Sequence, residues 1–298
     1  MIETKFEKIL LVNTVTQQDL VLSEQNSEYI LDGRPDWGSV SANVGVIGHG
    51  NKITSMVTDI RLGTRDITIT GWVVASDFVE MKKKKAFLNK FVNPFQELEL
   101  AYEDYAIYFT PNKSIKWAKD YSQNNEIMCK FEIEGLASNP LFHQYKPSII
   151  RQSPSLSTKV FSMIIKEDHG TILGVAGQGS SRKITNEGDV PMGFQLTLVN
   201  TGSPLNNLTL DNDGSFIKLR GKINHDDTLI ICTRFGEEQI TLTNKNGDKT
   251  DIIARLARGS SLFTLKPGDN TITISSDEGN LENLQFELEY SPLFLEVQ

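Results

Sequence analysis

The chain has 298 residues, 39% of them hydrophobic, and it carries a formal net charge of −8 with a pI of about 5.2. This length suits two domains, and the hydrophobic content excludes a disordered protein. The acidic balance disfavours a protein that wraps nucleic acid, because phosphate-binding surfaces are usually basic. An acidic wall that lets DNA pass through a channel remains an alternative to plain solubility.

The termini and cysteines predict the compartment in which the chain folds. The N-terminus lacks the basic and then apolar run of a secretion signal, and no apolar stretch approaches the roughly 20 residues of a membrane span. We therefore expect synthesis in the cytoplasm and no membrane contact. Cys129 and Cys232 lie far apart in apolar strand patterns, so we expect two buried free thiols and no disulfide.

The first third of the chain predicts short strands. Residues 37–58 are rich in glycine and fit either a glycine hairpin or a flexible loop. Residues 65–75 alternate, with Ile67, Ile69 and Val73 on one face, which is typical of a half-buried strand. Gly71 within that strand indicates a bend or a close approach of the backbone.

A helix is predicted over residues 77–92. Asp77 and Glu80 have the spacing of a capping box, and Pro94 disfavours helical geometry at Asn93. Four consecutive lysines at 82–85 spread around the helix axis, so some of them must leave the face that packs on the protein. They fit a solvated face, or a contact with acidic residues of a neighbouring subunit such as Glu97, Glu99 or Glu103.

Two strands and a tight turn follow the helix. In the first strand Leu98, Leu100 and Tyr102 share one face, and in the next strand Tyr105, Ile107 and Phe109 share another. We expect the hairpin to carry apolar residues on both of its faces.

The rest of the chain predicts one more strand of the first domain and then a second, strand-rich domain. Residues 127–134 alternate cleanly, and the Pro- and Ser-rich stretch 145–160 is the candidate connection. We therefore predict domains at 1–145 and 146–298. From residue 184 onward, short strands separated by turns such as Asn246-Gly247 predict a two-sheet sandwich.

The sequence offers no constellation for catalysis, a cofactor or a metal. The four histidines have no metal-ligand spacing and are expected to be solvated loop residues. Residues 211–214, Asp-Asn-Asp-Gly, fit a turn, and a weak calcium site is the alternative. A wall hydrolase on a β scaffold is disfavoured because its motifs are missing.

The order of elements in residues 65–109 resembles the N-terminal domain of siphophage distal tail proteins. In that family an Arg-x-Ile-x-x-x-Gly strand, here starting at Arg65, leads into a helix, then Asn-Pro, then a hairpin. Residues 193–196, 227–233 and 265–270 are similar to the family's galectin-like C-terminal domain. Each motif alone is loose, and their order over nearly the whole chain carries the resemblance.

The resemblance implies a mainly β fold: an N-terminal β-barrel-like domain with one helix and a hairpin, followed by a C-terminal galectin-like β-sandwich. It also implies a non-enzymatic tail-tip protein of a phage or prophage with a Gram-positive host, made in the host cytoplasm and located in the virion tail. The expected assembly is a hexameric ring between the tail tube protein and the tail-associated and receptor-binding proteins. No cofactor is implied.

The expected ring requires an interface in the first domain. One face of the hairpin packs on the helix and the other is left for a neighbour, with the lysines meeting acidic residues across the contact. The candidate interface residues are Lys82, Lys83, Lys84, Lys85, Leu98, Leu100, Tyr102, Tyr105, Ile107 and Phe109. The alternative function is a carbohydrate-binding module that recognises the host wall.

Overall fold

A computed structural model describes residues 8–25, 28–48, 55–146, 148–152, 180–279 and 281–297. The chain divides into two compact units: unit 1 comprises residues 1–145 and 295–298, and unit 2 comprises residues 146–294. The last four residues, which we expected in the second domain, thus group with unit 1. Most of the predicted connection 145–160 lies outside the described residues.

Unit 1 contains eleven described strands and one helix. Their bounds in chain order are β1 Lys8–Asn13, β2 Asp19–Ser23, β3 Tyr29–Leu31, β4 Ala42–Gly48, β5 Ser55–Leu62, β6 Arg65–Val74, α1 Phe78–Phe91, β7 Leu98–Tyr102, β8 Tyr105–Pro111, β9 Lys116–Trp117, β10 Met128–Ala137 and β11 Phe142–Gln144.

Seven strands of unit 1 form a closed barrel in the order β8-β7-β1-β2-β3-β6-β10. The barrel closes where β10 returns to β8, with Gly135 opposite Pro111 and Leu136 opposite Thr110. β2 and β3 run parallel, and the other neighbours in the barrel are antiparallel. The short strands β9 and β11 attach to β10 and β8. The predicted barrel-like domain is confirmed.

The alternation predicted for β6 places its apolar residues in the barrel core. Ile67, Ile69 and Val73 are at most 1% exposed. A methyl group at Gly71 would lie 2.6 Å from Cζ of Phe131 and 2.8 Å from the carbonyl oxygen of Ile30. The predicted close approach at Gly71 is therefore present, and glycine is required there because no room is left for a side chain.

Helix α1 begins and ends where its capping residues predict. The side chain of Asp77 accepts a hydrogen bond from the backbone N–H of Glu80 at 2.8 Å, and the Glu80 carboxylate accepts from the N–H of Ser76 at 2.7 Å. At the other end Val92 N–H donates to the Leu88 carbonyl oxygen. The buried side chains of the helix are Met81, Leu88 and Phe91.

Unit 2 contains twelve described strands. Their bounds are β12 Ser148–Gln152, β13 Ser180–Asn186, β14 Phe194–Asn200, β15 Leu205–Asn212, β16 Ser215–Lys218, β17 Lys222–Ile223, β18 Thr228–Cys232, β19 Gln239–Thr243, β20 Lys249–Asp251, β21 Gly268–Glu278, β22 Leu284–Tyr290 and β23 Leu293–Phe294.

Two antiparallel sheets of unit 2 share one hydrophobic core. One sheet has the order β12-β22-β14-β18-β19-β20, and the other has the order β13-β21-β15-β16 with β17 paired to β15. Leu196 and Leu288 of the first sheet belong to the same buried cluster as Leu210 and Ile274 of the second. The sheets therefore face each other across a packed core, as the alternating pattern predicts for a sandwich.

Candidate subunit interface

The β7–β8 hairpin has its large apolar side chains on one face, which corrects the expectation of two apolar faces. Leu98 lies opposite Phe109, Leu100 opposite Ile107 and Tyr102 opposite Tyr105. Residues directly opposite on neighbouring strands share a face, so these side chains point together into the barrel. Leu98, Leu100, Ile107 and Phe109 are at most 1% exposed, Tyr102 is 7% exposed and Tyr105 is half-buried. Burial within one chain moves the first five from the candidate interface to the core.

The outer face of the same hairpin carries a polar cluster. Glu99 lies opposite Tyr108. The Nε2 atom of His143 lies 3.0 Å from Oε1 of Glu99, and the imidazole stacks on the Tyr108 ring at a centroid distance of 4.7 Å and an angle of 12°. Glu99, expected to meet a lysine of a neighbour, thus has a partner in its own chain. His143 lies in β11 and is not a solvated loop residue.

The four lysines divide into two bound and two exposed side chains. Lys84 donates to the Val74 carbonyl oxygen at 2.8 Å and pairs with Glu80 at 2.8 Å. This bond and those from Ser76 lower the pKa of Glu80 from 4.5 to about 2. Lys85 donates to Oδ1 of Asn124 at 3.0 Å.

The other two lysines stay available to a partner. Lys82 and Lys83 are exposed, and the ammonium group of Lys82 lies 4.4 Å from the centre of the Phe78 ring. As expected, the lysines do not all share one face, and only Lys82 and Lys83 extend into solvent.

The sequence did not reveal the main apolar surface of unit 1. Strands β4 and β5, which we call the arm, pair only with each other among the described strands. Seven large apolar side chains of the arm are 38–64% exposed. They are Val44, Val46, Ile47, Met56, Val57, Ile60 and Leu62. An isolated two-stranded hairpin is marginal in water, and monomers rarely expose contiguous apolar surface.

A signal that could have indicated the arm is the apolar run at 44–47 within the glycine-rich segment. The register of the two strands shifts directly after Gly45. Before the shift Val44 lies opposite Ile60, and after it Val46 lies opposite Val57. A bulge of this kind breaks the simple alternation of a strand. Alternation of apolar and polar residues therefore does not predict these two strands, although both form.

The calcium-site alternative at residues 211–214 and other metal centres concern the His, Cys, Asp and Glu side chains of the described residues. Within the described ranges no three His, Cys, Asp or Glu side chains converge as metal ligands. Residues 211–214 form the β15–β16 turn, with Asp213 and Gly214 at positive φ of 51° and 91°. That geometry is a two-residue hairpin turn, as the Asp/Gly pattern predicts. No helix in the described part of the chain is long and apolar enough to cross a membrane.

Unit 1 is thus a barrel that carries an apolar arm, and unit 2 is a two-sheet sandwich. Residues 187–294 match the family model for the siphovirus-type tail component, C-terminal domain. The crystal structure of phage SPP1 Dit, described as a paradigm of the hub adsorption apparatus in phages that infect Gram-positive hosts, has the same fold. The TM-score is 0.64 at 12% identity, over 96% of this chain and 99% of that chain.

A chain of the phage P2 baseplate in its activated conformation with calcium aligns with a TM-score of 0.49 at 10% identity, over 96% of this chain and 98% of that chain. No curated protein sequence matches the chain. The predicted resemblance to siphophage distal tail proteins is confirmed, by the fold over nearly the whole chain and by the family model over residues 187–294.

Proposed function

We propose that the protein is a structural, non-enzymatic subunit of a siphophage tail tip whose copies form a ring hub. The family match of unit 2 and the fold shared with SPP1 Dit support a role in the tail hub. The observation that carries ring assembly is the arm, because its exposed apolar residues have no covering surface among the described residues of one chain. In the proposed ring, each arm packs on the neighbouring copy.

The arm offers enough apolar surface to contribute to a specific contact. Full burial of a Val, Ile or Met side chain contributes about 1.5–3 kcal/mol. The seven arm residues already have about half of their surface covered, so complete burial adds a gross gain on the order of 5–10 kcal/mol. This gain is comparable with the roughly 4–15 kcal/mol cost of losing translational and rotational freedom. A closed ring makes assembly more favourable, because each subunit makes two such contacts.

The geometry of an arm favours a ring over a simple dimer. An arm that packs on a different surface of its neighbour makes a head-to-tail contact, which closes into a ring when the rotation between copies allows it. The number six comes from the resemblance to the distal tail family. Lys82 and Lys83 are proposed to face acidic groups across the contact, which makes assembly sensitive to salt.

The proposed place of the ring is the virion tail tip, after assembly in the host cytoplasm. Its partners are the tail tube protein on one side and the tail-associated and receptor-binding proteins on the other. The fold shared with a hub adsorption protein supports this placement.

The test combines electron microscopy with light scattering at high protein concentration. Val46 and Val57 face each other across the arm, so the Val46→Ser, Val57→Ser double variant removes apolar surface from one place. The matched control is Phe235→Ser, which changes a 99% exposed side chain in unit 2. Rings with the wild type and the control, and monomers with the arm variant, are expected. Rings from the arm variant would refute the arm as the contact.

Carbohydrate binding by unit 2 is the second candidate, and one observation favours it. Phe235 is 99% exposed, and its neighbour Arg234 donates to Oε1 of Glu289 at 2.6 Å. An exposed aromatic ring beside charged groups is the composition of many sugar sites. A glycan array with full-length protein and with Phe235→Ala tests it, and equal signals from both proteins count against this site.

A further inference from the structure

The side chain of Arg65 is completely buried and tied to three separate segments of unit 1. Its guanidinium is 0% exposed. Nε donates to the carbonyl oxygen of Pro140 at 2.9 Å, Nη1 donates to that of Gly38 at 3.2 Å, and Nη2 donates to that of Leu295. The guanidinium also stacks on the Phe142 ring, 4.7 Å from its centre. Arg65 therefore holds together segments that are far apart in sequence.

The charge of Arg65 is balanced by the carboxylate of Glu296. Oε2 of Glu296 lies 3.4 Å from Nη1, and Oε1 lies 3.5 Å from Nη2. A buried cation is costly unless it is paired and hydrogen-bonded. Leu295 and Glu296, which we call the tail, supply a hydrogen-bond acceptor and a negative charge to the same guanidinium.

Arg65 also lies at the base of the arm. It is the first residue of β6, two positions after Gly63, whose N–H donates to the Ser41 carbonyl oxygen at 2.7 Å. On the other side of the base, Gly38 has a positive φ of 58°, and a methyl group there would lie 2.9 Å from the carbonyl oxygen of Asp66. Both chain segments that lead into the arm are thus held against the start of β6.

We infer that Arg65 is the positioning residue of the arm and that the tail, Leu295 and Glu296, holds the guanidinium of Arg65 in place. With the tail in place, the guanidinium holds the Gly38 carbonyl and fixes the angle at which the arm leaves the barrel. Without the tail, the buried guanidinium loses the Leu295 carbonyl and the Glu296 carboxylate, reorients, and releases Gly38. The availability of the arm to a neighbour then depends on Leu295 and Glu296.

This inference rests on the proposed function in one respect, since the arm is taken as the contact between copies. A fixed arm needs less ordering when it packs on a neighbour. We therefore expect loss of the tail to raise the concentration at the midpoint of assembly about tenfold or more.

The first measurement follows the arm in dilute protein, where assembly plays no part. Spin labels are attached at Met56→Cys on the arm and Ser114→Cys on the barrel, both exposed positions. The native Cys129 and Cys232 are at most 1% exposed and escape labelling in the folded state. The width of the label-to-label distance distribution then reports how firmly the arm is held.

The variants are a truncation after Phe294 and the milder Glu296→Gln, which keeps the side chain but removes its charge. The matched control is Glu289→Gln, which weakens the 2.6 Å pair with Arg234 in unit 2. We expect a broadened distribution with the truncation, a smaller broadening with Glu296→Gln, and no change with the control. An unchanged width in Glu296→Gln and in a folded truncated protein overturns the inference.

Assembly of the same variants is measured separately by light scattering. Broadening together with weaker assembly supports the complete inference. Broadening with unchanged assembly keeps Arg65 as the positioning residue, but it overturns the dependence of assembly on the tail. The Val46→Ser, Val57→Ser variant tests the proposed ring contact independently, so the two failures are distinguishable.

Discussion

Closure of the unit 1 barrel depends on the absence of a side chain at residue 135. A methyl group on Gly135 would lie 2.8 Å from Cε2 of Phe109, closer still to Cδ2, and 3.0 Å from the carbonyl oxygen of Thr110. Phe109 is 1% exposed, so its ring has little room to move. The Thr110 oxygen belongs to the backbone of β8 at the point where β10 pairs with it. Gly135→Ala therefore forces either the ring or the barrel seam to shift.

The expected loss of stability is modest but measurable. Overpacking a well-packed core by one carbon typically costs about 1–3 kcal/mol. Replacing glycine by alanine also stabilises by about 0.4–1 kcal/mol, because it reduces the conformational entropy of the unfolded chain. The mid-range values of these two effects leave a net destabilisation of Gly135→Ala of about 1.3 kcal/mol. For a unit of this size it lowers the melting temperature by roughly 3–5 °C.

Tryptophan fluorescence isolates unit 1 in this experiment. All three tryptophans, Trp37, Trp72 and Trp117, lie in unit 1. Urea unfolding followed by this signal therefore reports the stability of the barrel. The relief variant Phe109→Leu, combined with Gly135→Ala, is expected to recover at least about 0.5 kcal/mol relative to the sum of the single changes. Additive effects, or a Gly135→Ala protein as stable as the wild type, would refute the steric account.

Three further outcomes are expected. The pKa of Glu80 is lowered from 4.5 to about 2 by its hydrogen bonds with Lys84 and Ser76, so its contribution is complete above about pH 4.5 and is lost as the pH falls toward 2. Urea midpoints of Glu80→Gln should then depend less on pH over that range, and an unchanged pH profile contradicts this. Thiol titration should find Cys129 and Cys232 reactive in urea and protected in the native protein, and fewer than two thiols in urea would indicate a disulfide. Residues 146–294 should unfold cooperatively as an isolated fragment, whereas a fragment without a cooperative transition would show that unit 2 depends on unit 1.

Local sequence rules predicted those elements whose key residues each have a single physical reason to be there. The alternation in β6 and β10 follows from one face being buried, and the ends of α1 follow from Asp77 and Pro94. Gly71 indicated a close approach because a glycine in a strand otherwise costs stability. The barrel-like domain followed by a β-rich second half was thus predictable from pattern, order and resemblance.

The candidate interface was harder to predict because it depends on register and on what surrounds each strand. The sequence indicated two apolar faces in the β7–β8 hairpin. In the structure the turn at Glu103, with φ of 53°, pairs Leu100 with Ile107, so both lie on the same face. The exposure of an apolar residue is likewise a tertiary property. Phe235 is an example, because it occupies the connection between β18 and β19 and is 99% exposed.

The position of the tail in unit 1 has a consequence for how the protein is made. Residues 8–145 leave the ribosome first, and residues 146–294 follow over roughly 7–30 s at about 5–20 residues per second. Only then do Leu295 and Glu296 emerge to meet the guanidinium of Arg65. A stalled or prematurely ended chain can form most of the barrel but cannot complete this site. Under the inference above, such a chain carries a loosely held arm and assembles less readily than one that has Leu295 and Glu296 in place.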